Sequence, residues 1–195
     1  MTASRLLALF TPFGASNLVL SACVGLTAAL WFAGLRRPAA AFIFSAGLCA
    51  ALISFGKIIF LAIHGYGGLY SPSGHAALAC FFFCSFGRMA LATRSPAGYF
   101  FAAASWSVAL LVFFNRFLVG GHTFPDTVVG ASVGLACFAL FFRLAGPFDV
   151  KARLQAVAPT LAFTTSVASY LAFGANISEG GLFKAAFWLR ENLGL

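Results

Sequence analysis

The sequence predicts an all-α fold, a polytopic membrane bundle of about six transmembrane helices that makes a single domain of residues 1–195. Two observations carry this. Hydrophobic residues make up 62% of the chain and charged residues only 8%, with a mean hydropathy of +0.97, far from the balance of water-soluble domains. The apolar residues also fall in continuous runs, most of them near the about 20 residues a helix needs to cross a bilayer. The runs are 16–34, 39–63, 76–93, 97–114, 127–145 and 155–174. Because they are continuous rather than alternating, a closed barrel does not fit.

Each element has its own punctuation. Residues 3–14, broken by Pro12 and Gly14, read as an interfacial segment ahead of the first span. Leu20-Ser21-Ala22-Cys23 resembles a lipoprotein cleavage box, but apolar sequence continues from Val24, so the chain is expected to stay uncleaved. Arg36-Arg37-Pro38 separates the first two spans, Arg94-Ser95-Pro96 the third and fourth, and Gly146-Pro147-Phe148-Asp149 closes the fifth. The stretch from Gly181 to Arg190 is too short and charged to span, and is expected to be an amphipathic helix lying in the interface. All five cysteines, Cys23, Cys49, Cys80, Cys84 and Cys137, fall inside apolar stretches without ligand-pair spacing. They read as buried small hydrophobes, and zinc is unsupported.

A net charge of +8 would suggest nucleic acid in a soluble chain. Here the cations stand singly between apolar runs, so topology and anionic lipids account for them and no nucleic-acid partner is expected. Six spans put Arg36, Arg37, Arg88, Arg94, Arg143, Lys151 and Arg153 on one side, and Arg5, Lys184 and Arg190 on the other with Lys57 and Arg116. Cations favour the cytoplasmic face. The expected location is therefore the cytoplasmic (inner) membrane, with both termini and the histidine-bearing loops facing outward. Those loops, residues 64–75 and 115–126, open on the same membrane face.

The chemistry is concentrated there. All three histidines, His64, His75 and His122, lie in these two stretches. Lys57 sits well inside an apolar run, where a charge costs roughly 2.5–3.5 kcal/mol and normally has a partner or a task. His64 follows it two helical turns later on the same face, a rise of about 10 Å, so Lys57 must snorkel upward to share an anion with the loops. In Pro72-Ser73-Gly74-His75, Ser73 and the backbone near Gly74 are placed to cradle phosphate oxygens at a helix start, where unpaired amides and the dipole favour an anion. The same residues also make an ordinary turn and N-cap. His75 would stand beside the phosphate ester as proton donor. Arg116 offers a permanently charged fork for two phosphate oxygens. His122 is the candidate nucleophile, and Asp126, one helical turn on, would accept its other ring N–H. Thr123-Phe124-Pro125-Asp126 reads equally as a capping-box variant, a role compatible with the first.

In order and spacing the set resembles the type 2 phosphatidic acid phosphatase / vanadium haloperoxidase superfamily, over roughly residues 39–146. That family carries Lys-x6-Arg-Pro, then Pro-Ser-Gly-His, then Ser-Arg-x5-His-x3-Asp. The second block is met in full by Pro72, Ser73, Gly74 and His75. The third is met by Arg116, His122 and Asp126, with Asn115 in place of the serine; the first is met only by Lys57, because His64 and Gly65 stand where Arg-Pro belongs. The resemblance implies a nucleophilic His122, an acidic His75 for the leaving group, and a phosphate clamp of Lys57, Ser73, Gly74 and Arg116. His64 either joins the clamp as an imidazolium or faces lipid headgroups. Gly65-Tyr66-Gly67-Gly68 reads as a mobile lip over the site.

The expected activity is metal-independent hydrolysis of a lipid phosphate or diphosphate through a phosphohistidine. No cofactor is expected, and no carboxylate cluster offers a magnesium site. A phosphotransferase using the same site and a non-catalytic lipid-phosphate-binding protein are the alternatives. A haloperoxidase would share the site but is expected to be soluble, which this composition opposes. Phosphatidate, phosphatidylglycerophosphate, a polyprenyl diphosphate and a lipid A phosphate would all suit the same clamp.

Overall fold

The computed structural model of the chain describes residues 11–64, 71–119, 121–149 and 179–193. Among the described residues there are six α-helices and no strand. A 3-10 turn, Thr11–Gly14, leads into α1 (Ser16–Phe32), followed by α2 (Arg36–His64), α3 (Gly74–Ala92), α4 (Pro96–Leu118), α5 (Phe124–Ala145) and α6 (Glu179–Leu193). Four of them, α2 to α5, are long and apolar enough to cross a membrane, while α1 is shorter. The run 155–174 lies outside the described residues, as do residues 1–10 of the N-terminal segment.

Local chemistry sets the helix ends, extending α2, α4 and α5 beyond their apolar runs and ending α1 two residues inside its own. Ser95 caps α4, its hydroxyl accepting from Gly98 N–H at 3.0 Å, with Pro96 in the first turn. Thr123 caps α5 in a full capping box with Asp126. The α1–α2 connection turns at Gly34, whose φ of 81° suits a residue without a side chain. There Gly34 N–H donates to Trp31 and Leu35 N–H to Leu30, which closes the end of α1. The largest departure from the apolar pattern is at α4. Its helix continues through Asn115 and Arg116 because both are buried inside the bundle, Asn115 completely. These two residues therefore belong to a helix and not to a loop. His64 is likewise the last residue of α2 and His75 the second of α3.

The core lies between α1, α2, α3 and α5. Phe42 of α2 stacks on Phe81 of α3 and meets Phe141 of α5 edge-on, both at 5.2 Å between ring centroids. Helix α3 is the most enclosed of the four long helices and packs on α1, α2, α4 and α5. Cys23, Cys49, Cys80 and Cys137 are buried, Cys84 is half-buried, and all five are free thiols. The stretch Leu20-Ser21-Ala22-Cys23, which resembles a lipoprotein cleavage box, is helical throughout and lies inside α1. Large apolar side chains such as Phe32, Phe44, Phe55, Phe100 and Leu110 are exposed around the outside, as a lipid-facing surface requires. Helix α6 packs on α2 with Ala186 buried and Phe187 and Trp188 exposed. At the end of the bundle away from the histidines, Arg37 Nε–H donates to the carbonyl of Leu144 at 2.9 Å, tying the start of α2 to the end of α5.

Candidate functional site

Four helix ends meet at the opposite end of the bundle: the C-termini of α2 and α4 and the N-termini of α3 and α5. The contact between α3 and α5 sets this arrangement. A Cβ on Gly130 would meet the carbonyl oxygen of Ser73, and one on Gly134 that of Ala77, both far inside van der Waals distance. The glycines let one backbone lie directly on the other, as small residues four apart do between membrane helices. The two starts are then joined by Ser73 N–H, which donates to the Asp126 carbonyl at 3.1 Å. The two motif stretches thus share one face, as the sequence requires.

Ser73 is fully buried, and its hydroxyl accepts from Ala76 N–H at 3.4 Å. Ala77 N–H donates to the Ser73 carbonyl at 3.1 Å. An anion at this helix start would meet the first-turn amides of Gly74 and His75. The Ser73 side chain acts as the cap that fixes them. Lys57 reaches this turn from α2: its Cε lies 4.0 Å from where a Cβ of Gly74 would stand. The long side chain brings its charge out of the apolar run to the α3 N-terminus.

Arg116 lies in the last turn of α4 and is 9% exposed. The connection after α4 folds back over it, with His122 N–H donating to the Arg116 carbonyl at 3.3 Å and Val119 N–H to Asn115 at 2.9 Å. His122 is half-buried. Lys57, Arg116 and His122 are all close enough to His75 to act on it electrostatically. Lys57, Arg116 and His122 are thus grouped within electrostatic range of His75 near the start of α3, and the ammonium and guanidinium suit a compact anion.

Asp126 is the nearby carboxylate, and it is buried. Its Oδ2 accepts from Thr123 N–H at 3.0 Å and from Thr123 Oγ at 2.8 Å. These two hydrogen bonds hold the carboxylate to Thr123 in the capping arrangement. Among the described residues no group of three or more His, Cys, Asp or Glu comes together as a metal ion would need. His64 ends α2 on the same face of the bundle. The Gly65-Tyr66-Gly67-Gly68 lip lies outside the described residues.

Two contributors were not apparent from the motifs. The Gly130/Gly134 pair seats α5 on α3, and its Gly-x3-Gly spacing was a readable signal. Gly14 of the N-terminal turn touches His75, and nothing local in the sequence announces it. Comparison with protein-family models, with curated proteins and with solved structures found no match for this chain.

Proposed function

We propose that this chain is a metal-independent membrane phosphatase that hydrolyses a lipid phosphate or diphosphate through a phosphohistidine. The observation that carries the reading is the gathering of Lys57, Arg116 and His122 around His75 at the amide end of α3. Arg116 and Lys57 would neutralise the phosphoryl oxygens while the Gly74 and His75 amides point at them. A ring nitrogen of His122 attacks phosphorus, forming the N–P bond as the bond to the lipid oxygen breaks. The proton that oxygen needs comes from His75. Water then attacks the phosphohistidine, giving its proton to His75, and His122 and inorganic phosphate are released. Asp126, held by Thr123, is the group assigned to orient His122.

The finer topology belongs to the same proposal. Six crossings, with 155–174 the last, put the site at the outer face of the cytoplasmic membrane, because the opposite end carries Arg36, Arg37, Arg88, Arg94 and Arg143. The apolar outer surface gives the lipid chain of a substrate a place beside the bundle.

The test is phosphate release by detergent-purified protein from a panel of lipid phosphates in EDTA, beside His122→Ala. Release that persists in EDTA, stops with vanadate and vanishes in His122→Ala is the expected result. Undiminished turnover in folded His122→Ala would refute the mechanism.

A further inference from the structure

The turn Thr11–Gly14 packs against α3 and α4 as well as α1. Its last residue is wedged between the two neighbouring helices. A Cβ on Gly14 would stand 2.8 Å from Val112 Cγ1, 2.9 Å from His75 Cβ and 3.2 Å from His75 Cδ2. Gly14 is buried and Val112 is fully buried. The His75 Cβ is anchored to the helix backbone, and the Val112 methyl belongs to a β-branched side chain with little rotamer freedom. Neither can step aside cheaply. The backbone of the turn therefore lies directly on the Cδ2 edge of the imidazole.

From this contact we infer that Gly14 is a positioning residue for His75, setting the angle at which its ring meets the leaving oxygen. The inference rests on the phosphatase reading, in which His75 delivers that proton. A methyl at position 14 pushes the His75 ring or the turn outward, and a proton donor displaced from hydrogen-bond reach loses its effect. His122, Lys57 and Arg116 stand on other elements than His75, and the Gly74 and His75 amides belong to the α3 backbone, which a rotated His75 ring leaves in place. The defect is thus confined to substrates whose leaving oxygen needs a proton.

Two substrates separate these cases. An alkyl lipid phosphate leaves as an alkoxide unless protonated, whereas an activated aryl phosphate leaves as a stable phenolate. In detergent-purified protein, Gly14→Ala is expected to lower turnover of the alkyl substrate by about tenfold to a hundredfold, part of the about 10²–10⁴-fold that general acid catalysis supplies. Aryl phosphate turnover falls by less than about twofold on the same argument. His75→Ala shows the same split, larger. Adding Val112→Ala to Gly14→Ala gives the turn room to retreat toward α4 and returns most of the lost alkyl activity. Equal loss on both substrates, or no loss on either, with an active wild type overturns the role of Gly14 alone. A wild type that releases phosphate from neither substrate removes the phosphatase reading, and this inference with it.

Discussion

Two residues at the site perform structural tasks that the proposed chemistry then uses. Ser73 caps α3, and Thr123 grips Asp126 at the start of α5. Both tasks were legible as caps in the sequence, because Ser and Thr before a helical run have a backbone donor within reach. Their occupancy was not legible. Whether a hydroxyl faces a ligand or its own helix depends on a rotamer, and a motif does not state rotamers. His64 is the position where this chain departs from the arginine of the resembling family. An arginine stays charged, whereas a histidine ordinarily titrates near 6.5. If the imidazolium binds phosphate, its contribution is present below that value and lost as pH rises through it. Activity is therefore expected to fall on the alkaline side, and His64→Gln to flatten that limb. A pH–rate profile unchanged by the substitution places His64 outside the clamp.

At the level of elements, the pairing of α3 with α5 matters most. Ser73 and Ala77 lie under Gly130 and Gly134, and the Ser73–Asp126 backbone hydrogen bond depends on that closeness. Gly130→Ala places a methyl against the Ser73 carbonyl, which is backbone and cannot turn away. The helices must part locally, at a cost of about 1–3 kcal/mol for such overpacking. A lowered midpoint of thermal unfolding in detergent is the expected outcome, with lipid phosphate turnover reduced by more than the loss of folded protein explains. A variant with wild-type melting and wild-type turnover would show that the contact is slack. The helices themselves were readable from apolar runs, Pro positions and caps. The end of α4 was not, because Asn115 and Arg116 look like loop residues until the bundle around them is seen to bury them.

For the molecule as a whole, alternation explains why the two motif stretches could be placed on one face before the geometry was seen. Consecutive membrane helices run in opposite directions, so the connections on either side of α3–α4 open on one face whatever the total number of crossings. Arg37 bonded to Leu144 at the far end and Ser73 bonded to Asp126 at the near end are the two ends of that arrangement. The N-terminal turn was beyond such reasoning, since its place against His75 and Val112 comes from tertiary packing across residues far apart in the chain. These features lead to one chemical claim, that phosphate is carried on His122. It is tested most directly by incubating the purified protein with a lipid bearing a labelled phosphate, quenching in alkali and locating the label by peptide mass spectrometry. The account predicts an alkali-stable, acid-labile phosphoryl group on His122, absent in His122→Ala. Turnover with no covalent label, or a label on another residue, would contradict it.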